Sequence, residues 1–214
     1  MSKTNVLNHF ETIDTEEKAY WLGFLYADGY VGSTSSRIEL SLAEKDLKHI
    51  EKFKNFIGID NKISYREKTK AYRYSFRSIP CKEQLIRQGC VPKKSLILKF
   101  PTSEQVPQNL IKHFIRGYFD GDGWFTNTDS CFQVGLIGTE DFIKGFLNVV
   151  ENVNTANKIF DVHRPDGVKR YVFGAIKDVT NFLNWIYANA SIYLDRKYGA
   201  YQDFIQNGSK YHKT

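Results

Sequence analysis

The sequence contains the same pattern twice. Residues 21–29 (WLGFLYADG) align with residues 115–123 (IRGYFDGDG), with glycine at the third position, a small residue at the seventh and Asp-Gly at the end. The offset between Asp28 and Asp122 is 122 − 28 = 94. Later landmarks keep nearly this offset, with 95 between Asp46 and Asp141, 96 between Ile63 and Ile159, and 97 between Tyr74 and Tyr171. A repeat of this kind predicts two similar structural units.

Each repeat is predicted to form an α/β (α+β) unit with the order helix, hairpin, helix, hairpin, helix. We assign the first unit to residues 1–101 and the second to residues 102–214. Over residues 72–79 aromatic side chains alternate with polar and basic ones, which is typical of a half-buried strand. The other expected strands lie near residues 64–69, 160–163 and 169–175. The expected helices run from Asp14 or Thr15 to Ala27, from beyond Pro107 to Gly121, and near residues 46–57, 141–150 and 178–188.

The composition narrows the class of protein. Thirty Lys and Arg residues against 24 Asp and Glu residues give a net charge of +6 and a pI near 9.0, which suits a polyanionic partner. No segment reaches the roughly 20 consecutive apolar residues of a membrane helix, and the N-terminus lacks the apolar stretch of a signal peptide. We therefore expect a cytosolic protein with no membrane partner. The cysteines Cys81, Cys90 and Cys131 lack C-x-x-C spacing, which indicates neither a disulfide framework nor a zinc site.

Small residues recur four positions apart in both copies of the repeat. They are Gly23 and Ala27 in the first copy and Gly117 and Gly121 in the second. Each pair lies on one helix face, so the two helices can pack closely. Taken singly, Asp28 and Asp122 are each typical of a turn or a helix cap. If the helices pack in this way, the two aspartates meet at the C-terminal ends of the helices. The helix dipole and the repulsion between two negative charges disfavour carboxylates there. A bound cation resolves this conflict, and hard oxygen ligands with room for water favour Mg²⁺.

The two repeats resemble the paired signature of the LAGLIDADG homing endonucleases, in the form where both halves lie in one chain. Residues 115–123 are the closer match, and residues 89–95 (GCVPKKS) and 193–198 (YLDRKY) resemble later blocks of the same family. Tyr26 stands where the family often has an earlier, usually structural Asp. The resemblance covers most of the chain and implies two αββαββα units in a pseudo-twofold array. Their antiparallel strands would form a saddle-shaped surface over the DNA major groove, and both DNA strands would be cut across the minor groove to leave short 3′ overhangs.

The resemblance also implies roles for the residues of the central site. Asp28 and Asp122 would hold the catalytic metal ions, with Ala27 and Gly121 beside them in the metal site. Two or three Mg²⁺ ions are expected; Mn²⁺ is expected to substitute, and Ca²⁺ to bind without supporting cleavage. Lys94 and Lys197 match basic residues that polarise water or stabilise charge developing on the phosphate. Each lysine is equally well explained as a phosphate contact or as a solvated surface residue.

A basic two-stranded ribbon in the first unit is the predicted contact with DNA. Residues 62–77 contain six Lys or Arg residues and one Glu, a local charge of 6 − 1 = +5. Such a ribbon can enter the major groove, where Arg pairs with guanine and Asn or Gln with adenine. The candidates are Arg37, Glu39, Arg66, Lys68, Lys70, Arg73 and Arg77 in the first unit, and Trp124, Thr126, Gln133, His163, Arg164, Lys169 and Arg170 in the second. A solvated strand face is the alternative for each of them, and Trp124 would otherwise pack under the sheet.

The function predicted from these features is that of a site-specific, divalent-metal-dependent homing endonuclease that acts on double-stranded DNA as a monomer. Because the two candidate surfaces differ in sequence, the target is expected to be long and only imperfectly palindromic. Two alternatives on the same fold remain open: a DNA-binding regulator that does not cleave, and an intron maturase that binds RNA. The expected location is the cytoplasm of a bacterial or phage-infected cell, or an organellar matrix if the gene lies in an organelle.

Overall fold

The computed structural model describes residues 8–151, 153, 159–161 and 168–210, which form two α/β halves. The elements of the first half are α1 (Glu16–Asp28), β1 (Gly29–Val31), β2 (Arg37–Ala43), α2 (Leu47–Ile57), β3 (Ser64–Arg66), β4 (Ala71–Arg77) and α3 (Ile79–Arg87). Those of the second half are α4 (Ile111–Asp122), β5 (Gly123–Thr128), β6 (Cys131–Thr139), α5 (Glu140–Val150), β7 (Ile159–Asp161), β8 (Val168–Phe173), α6 (Ile176–Tyr187) and α7 (Asp195–Asn207). Short 3-10 turns lie at Glu44–Asp46, Glu67–Thr69 and Lys94–Leu96.

The two sheets have the same topology. Their strand orders are β1-β2-β4-β3 and β5-β6-β8-β7, and every neighbouring pair is antiparallel. Leu40 lies opposite Tyr74 in the first sheet, and Leu136 lies opposite Tyr171 in the second. These equivalent pairs are separated by 136 − 40 = 96 and 171 − 74 = 97 residues, close to the offset of the sequence repeat. The predicted α/β (α+β) fold of two related units is therefore confirmed.

The two halves meet where α1 packs against α4. A Cβ atom built on Gly23 would lie 2.0 Å from the carbonyl oxygen of Phe114, and one built on Gly117 would lie 2.0 Å from the carbonyl oxygen of Tyr20. Any larger side chain at either position would push the helices apart, so glycine is required for this backbone approach. The close packing predicted from the spacing of small residues is confirmed.

Local hydrogen bonds set several element boundaries. The side chain of Thr15 accepts a hydrogen bond from the backbone N–H of Lys18 at 3.2 Å, which makes Thr15 the N-cap of α1. The second strand of the basic ribbon ends at Arg77, two residues earlier than predicted, because Ser78 caps α3 by accepting from the N–H of Cys81 at 3.2 Å. Its first strand ends three residues earlier than predicted, where a 3-10 turn begins.

Among the described residues, no helix combines the length and apolar character needed to cross a bilayer. The apolar side chains instead form a core beneath the two sheets, in which aromatic rings such as Trp21, Phe53 and Phe182 are fully buried. This core holds the sheets against α1 and α4 and thereby fixes the ends of those two helices.

Candidate active site

Two carboxylates lie side by side at the centre of the molecule. Asp28 is the last residue of α1 and Asp122 is the last residue of α4. A Cβ atom built on Gly121 would lie 2.3 Å from the Cβ of Ala27 and 3.3 Å from Oδ2 of Asp28. The small residues therefore allow the ends of the two helices to touch, and this contact brings the two aspartates together.

The electrostatic environment of this pair is unfavourable for two negative charges. Both side chains reach solvent, but the surrounding protein displaces enough water to disfavour ionisation. This desolvation raises the pKa of Asp28, although the cations Lys197 and Lys94 oppose the shift. Desolvation and the neighbouring charge of Asp28 raise the pKa of Asp122 to about 6. A cation between the two carboxylates would offset the negative charge of Asp28 that raises the pKa of Asp122.

A lysine accompanies each aspartate. Lys94 donates a hydrogen bond from Nζ to the carbonyl oxygen of Gly29. Lys197 donates from Nζ to the carbonyl oxygens of Phe119 at 2.5 Å and Gly123 at 2.6 Å. Gly29 and Gly123 directly follow the two aspartates in the repeat, so the lysines occupy equivalent places although they are 197 − 94 = 103 residues apart. Lys197 is buried, and the loss of water lowers its pKa to about 8.

The set of oxygen donors at this site is suitable for a hard divalent cation. Among the described residues, no group of three or more His, Cys, Asp and Glu side chains could hold a metal ion. A metal ion here would therefore combine the two carboxylates with water and with main-chain oxygens near Ala27 and Gly121. Mg²⁺ commonly keeps several water ligands and uses one or two protein carboxylates. The residues present fit that pattern.

One buried carboxylate next to this site was not selected from the sequence. Asp120 is 1% exposed and accepts hydrogen bonds from the hydroxyl groups of Tyr20 at 2.8 Å and Tyr187 at 2.5 Å, and from the backbone N–H of Leu194 at 2.7 Å. This network ties α4 to α1, to α6 and to the segment before α7. The doubled Asp in residues 115–123 was the only signal in the sequence for such a residue.

The first half uses a different residue at the equivalent position. Tyr26, which is offset from Asp120 by the same 94 residues, donates its hydroxyl to the carbonyl oxygen of Gln88 at 2.5 Å. Burial raises the pKa of Tyr26 well above its usual value. Both residues therefore anchor a helix to a later segment of their own half. The absence of an early Asp in the first repeat does not disturb the pair formed by Asp28 and Asp122.

The outer face of the first sheet is polar and basic. Burial alternates along β2 and β4, so that Ile38, Leu40, Tyr74 and Phe76 face the core. The side chains on the opposite face are Arg37, Glu39 and Ser41 on β2, and Arg73, Ser75 and Arg77 on β4. Arg66 is exposed on β3, while Lys68 and Lys70 lie in the exposed turn between β3 and β4. The outer face of the first sheet thus brings together four of the candidates: Arg37, Glu39, Arg73 and Arg77. Two others, Lys68 and Lys70, lie at the end of the hairpin.

The outer face of the second sheet is built around an aromatic side chain. Trp124 on β5 is paired with Gly135 on β6, and a Cβ atom on Gly135 would come within 2.2 Å of the indole ring. The guanidinium of Arg170 covers this ring, with Cζ 4.5 Å from the ring centre. Thr126 and Gln133 are cross-strand neighbours on the same face. Trp124 therefore lies on the outer face and not under the sheet.

Three of the predicted DNA-contacting residues are not found on the outer faces of the sheets: one faces the core and two lie outside the described residues. Lys169 lies opposite Gly138, on the core-facing side of β8, and its Nζ atom is 3.8 Å from the carboxylate of Glu140. This position does not support the expected contact of Lys169 with DNA, because strand alternation directs its side chain away from the outer face. His163 and Arg164 lie outside the described residues.

Comparison with known proteins gave matches mainly at the level of structure. No family model matches the sequence. Three similar solved structures are I-AabMI bound to uncleaved DNA, I-SmaMI bound to cleaved DNA, and I-LtrWI bound to target DNA, all described as LAGLIDADG meganucleases or homing endonucleases. Their TM-scores are 0.62, 0.58 and 0.56, and their sequence identities are 15%, 13% and 14%. The matches cover 88%, 91% and 90% of this chain and 89%, 89% and 90% of the respective structures.

One curated protein also shows sequence similarity. It is a probable translation initiation factor IF-2 from Methanocaldococcus jannaschii, which is 23% identical over 152 residues. The match covers 68% of this chain but only 12% of that protein. The chain therefore corresponds to a small part of the archaeal protein.

Proposed function

We propose that this chain, which has the fold of the LAGLIDADG homing endonucleases, is a divalent-metal-dependent enzyme that cuts both strands of a long DNA site as a monomer. Residues 1–101 and residues 102–214 would each supply one half of the active site. The observation that carries the proposal is the pair of solvent-accessible carboxylates, Asp28 and Asp122, at the touching ends of α1 and α4. Each of them is followed by a residue whose carbonyl oxygen binds a lysine.

Asp28 and Asp122 would hold Mg²⁺ at the interface between the halves. When bound, such ions activate water and neutralise charge on the leaving oxygen in phosphodiester hydrolysis. Mn²⁺ would substitute, whereas Ca²⁺ would bind without supporting cleavage. The raised pKa of Asp122, to about 6, still leaves the carboxylate ionised at neutral pH and available as a ligand.

Lys94 and Lys197 would supply fixed positive charge beside the phosphodiester. An ammonium group has three N–H donors, and Lys197 uses two of them on main-chain carbonyls. One donor remains for a phosphate oxygen or for a water molecule. Because the carbonyl contacts hold the ammonium in place before DNA arrives, little reorganisation would be needed as negative charge develops on the phosphate.

The outer faces of the two sheets would bind the DNA major groove. Arg37, Arg73 and Arg77 on the first sheet, and Gln133 and Arg170 on the second, are of the residue types that read base edges. The structural neighbours are solved with DNA, which supports this assignment. Because the two faces carry different side chains, the two halves of the preferred site would differ in sequence.

Cleavage of a duplex library tests the proposal directly. The protein is incubated with long duplexes of randomised sequence in Mg²⁺, in Ca²⁺ or in EDTA, and double-strand breaks are recovered by sequencing. Breaks at a reproducible site are expected in Mg²⁺ and absent in Ca²⁺ and EDTA. No break at any site, with folded protein and with metal present, would reject the enzymatic function.

Substitution of the aspartates tests the active site itself. Asp28→Asn and Asp122→Asn should each abolish cleavage and leave DNA binding largely intact. Asp129→Asn, in the exposed turn between β5 and β6, is the matched control and should cut normally. Binding of duplex DNA without any cleavage by the unaltered chain would instead point to a regulator, and preferential binding of a structured intron RNA to a maturase.

A further inference from the structure

A single acidic side chain lies in the middle of the basic outer face of the first sheet. In the strand register Glu39 is opposite Ser75, in the row between the pair Arg37 and Arg77 and the pair Ser41 and Arg73. Arg37 and Arg77 are directly opposite each other, an arrangement in which two positive charges repel. Glu39 is therefore placed between arginines that approach it from both sides.

Glu39 contacts two of these arginines. Its Oε2 atom accepts from Nη2 of Arg37 and lies 3.6 Å from Nη1 of Arg73. The side chain of Glu39 is 13% exposed, against 34% for Arg37 and 24% for Arg73. The Nε atoms of both arginines are shielded from solvent. The carboxylate is thus more buried than the two arginines that it contacts, and both arginines line a groove of about 550 Å³.

An acidic residue on a surface that binds DNA reduces affinity, because it repels phosphate groups and offsets one positive charge. A benefit that offsets this loss is the effect of Glu39 on the geometry of the neighbouring arginines. Arginine recognises guanine through two parallel hydrogen bonds to O6 and N7, and this recognition requires a fixed orientation of the guanidinium plane. A carboxylate paired with one Nη atom of each guanidinium restricts how that group can turn before the DNA binds.

We propose that Glu39 is a positioning residue that orients Arg37 and Arg73 to read guanine in the half of the target that lies under the first sheet. The inference rests on the proposed DNA-binding function and adds to it the base chemistry of one half-site. The second sheet orients its arginine differently, because Arg170 is held against the ring of Trp124 and, within the described part of the chain, by no carboxylate. The two half-sites therefore differ in how their arginines are oriented.

The test compares two variants that remove the same charge. Glu39→Gln removes the carboxylate that contacts the arginines. Glu67→Gln removes an exposed carboxylate from the turn between β3 and β4 of the same sheet and is the matched control. The protein and each variant select bound duplexes from a randomised library in Ca²⁺, and sequencing gives the base preference at each position. Affinity for a random-sequence duplex is measured in parallel.

The expected results have opposite signs for affinity and specificity. Both variants should bind the random-sequence duplex more tightly, by about twofold to fivefold, because each removes one negative charge near the DNA. Only Glu39→Gln should lose discrimination, by about tenfold, at guanine positions confined to one half-site. Arg73→Lys should lose preference at one of the same positions, because it keeps the charge but not the planar fork. Adding Glu39→Gln to Arg73→Lys should cause no further loss there.

Several outcomes would overturn the inference. If Glu39→Gln has the same base preferences as Glu67→Gln, Glu39 serves only to offset repulsion in the sheet. If the loss of guanine discrimination in Glu39→Gln adds fully to the losses in Arg73→Lys and Arg37→Lys, Glu39 contacts the DNA directly. If Glu39→Gln fails to fold, the base preferences of Arg37→Lys and Arg73→Lys provide the test. An unchanged guanine preference in both of these variants rejects the proposal. Absence of DNA binding by the unaltered chain would reject the proposed function and this inference with it.

Discussion

Nζ of Lys197 lies 2.6 Å from the carbonyl oxygen of Gly123, the residue that follows Asp122. Lys94 makes the equivalent contact with Gly29 in the other half. Each ammonium is thus fixed to the main chain at the end of the helix that carries an aspartate. Among the nearby cations, Lys197 lowers the pKa of Asp28 most, and Lys94 lowers the pKa of Asp122 most. The pKa of each aspartate is therefore lowered most by the lysine of the other half.

Replacement of either lysine is expected to slow cleavage with little effect on binding. Lys94→Met and Lys197→Met remove a fixed positive charge beside the phosphodiester, and a loss of about a hundredfold in the single-turnover rate is expected. Plasmid cleavage, in which nicked and linear products are separated, gives the rate for each strand. Lys93→Met, at the exposed neighbouring position, is the control. Equal rate losses in Lys93→Met and Lys94→Met would show that only the general charge matters.

The stability of the metal-free protein should depend on pH through Asp122. Its pKa is raised from 3.8 to about 6, so between these values the folded protein holds a proton that the unfolded chain has released. Stability therefore falls as pH rises through this window, and the loss is complete above about pH 6. Asp122→Asn removes this effect and should raise the free energy of unfolding at neutral pH by on the order of 1 kcal/mol, solvent screening included.

Urea unfolding in EDTA across this pH range measures the effect, with Asp129→Asn as the exposed control. Added Mg²⁺ should stabilise the unaltered protein, since a ligand that binds only the folded state shifts the equilibrium towards it. Asp122→Asn should lose most of this stabilisation. An Asp122→Asn variant that is no more stable than the unaltered protein in EDTA would contradict the raised pKa of Asp122.

The contact between α1 and α4 should not tolerate a single added methyl group at Gly117. The new Cβ atom would lie 2.0 Å from the carbonyl oxygen of Tyr20, so Gly117→Ala must separate the helices. A cost of about 1–3 kcal/mol in unfolding free energy is expected, together with slower cleavage because the aspartates move apart. Gly199→Ala in α7 is the control, since nothing lies within 4 Å of its new Cβ atom.

Gly199→Ala should stabilise the protein by roughly 0.5–1 kcal/mol through helix propensity. The two glycine variants therefore differ in sign, and chemical denaturation followed by circular dichroism measures both. Equal effects of the two substitutions on stability would contradict the close backbone approach.

The buried carboxylate of Asp120 should contribute to stability and not to chemistry. Asp120→Asn replaces one acceptor oxygen by an NH₂ group facing the donors of Tyr20, Tyr187 and Leu194, and the cost should be about 1–3 kcal/mol. Tyr187→Phe removes one donor only and should cost about 1 kcal/mol. Thermal unfolding measures these changes. If Asp120→Asn costs no more than the surface change Asp129→Asn, the network does not hold α4 in place.

Much of the site was accessible from local patterns in the sequence. The repeat made Asp28 and Asp122 equivalent, and the spacing of Gly23 and Gly117 within their helices predicted the contact that brings the carboxylates together. These predictions succeeded because helical periodicity and backbone sterics act over a few residues. The alternation along β4 likewise predicted which of its side chains face outwards.

Other features depend on contacts between distant parts of the chain. The hydroxyl of Tyr20 binds Asp120, which is 100 residues later, and Lys197 binds a carbonyl 74 residues earlier. No local pattern encodes such pairs, so the sequence did not show the role of Asp120. It matched Lys94 with Lys197, but it did not show the main-chain carbonyl groups that hold them. The contact of the Lys169 side chain with Glu140 could not be predicted for the same reason. The sequence by itself determined the duplicated fold and the paired aspartates, because the repeat and the helical spacing of its small residues can both be read from the order of the residues. Only the tertiary structure decided which charged groups surround them, because packing between the halves sets those distances.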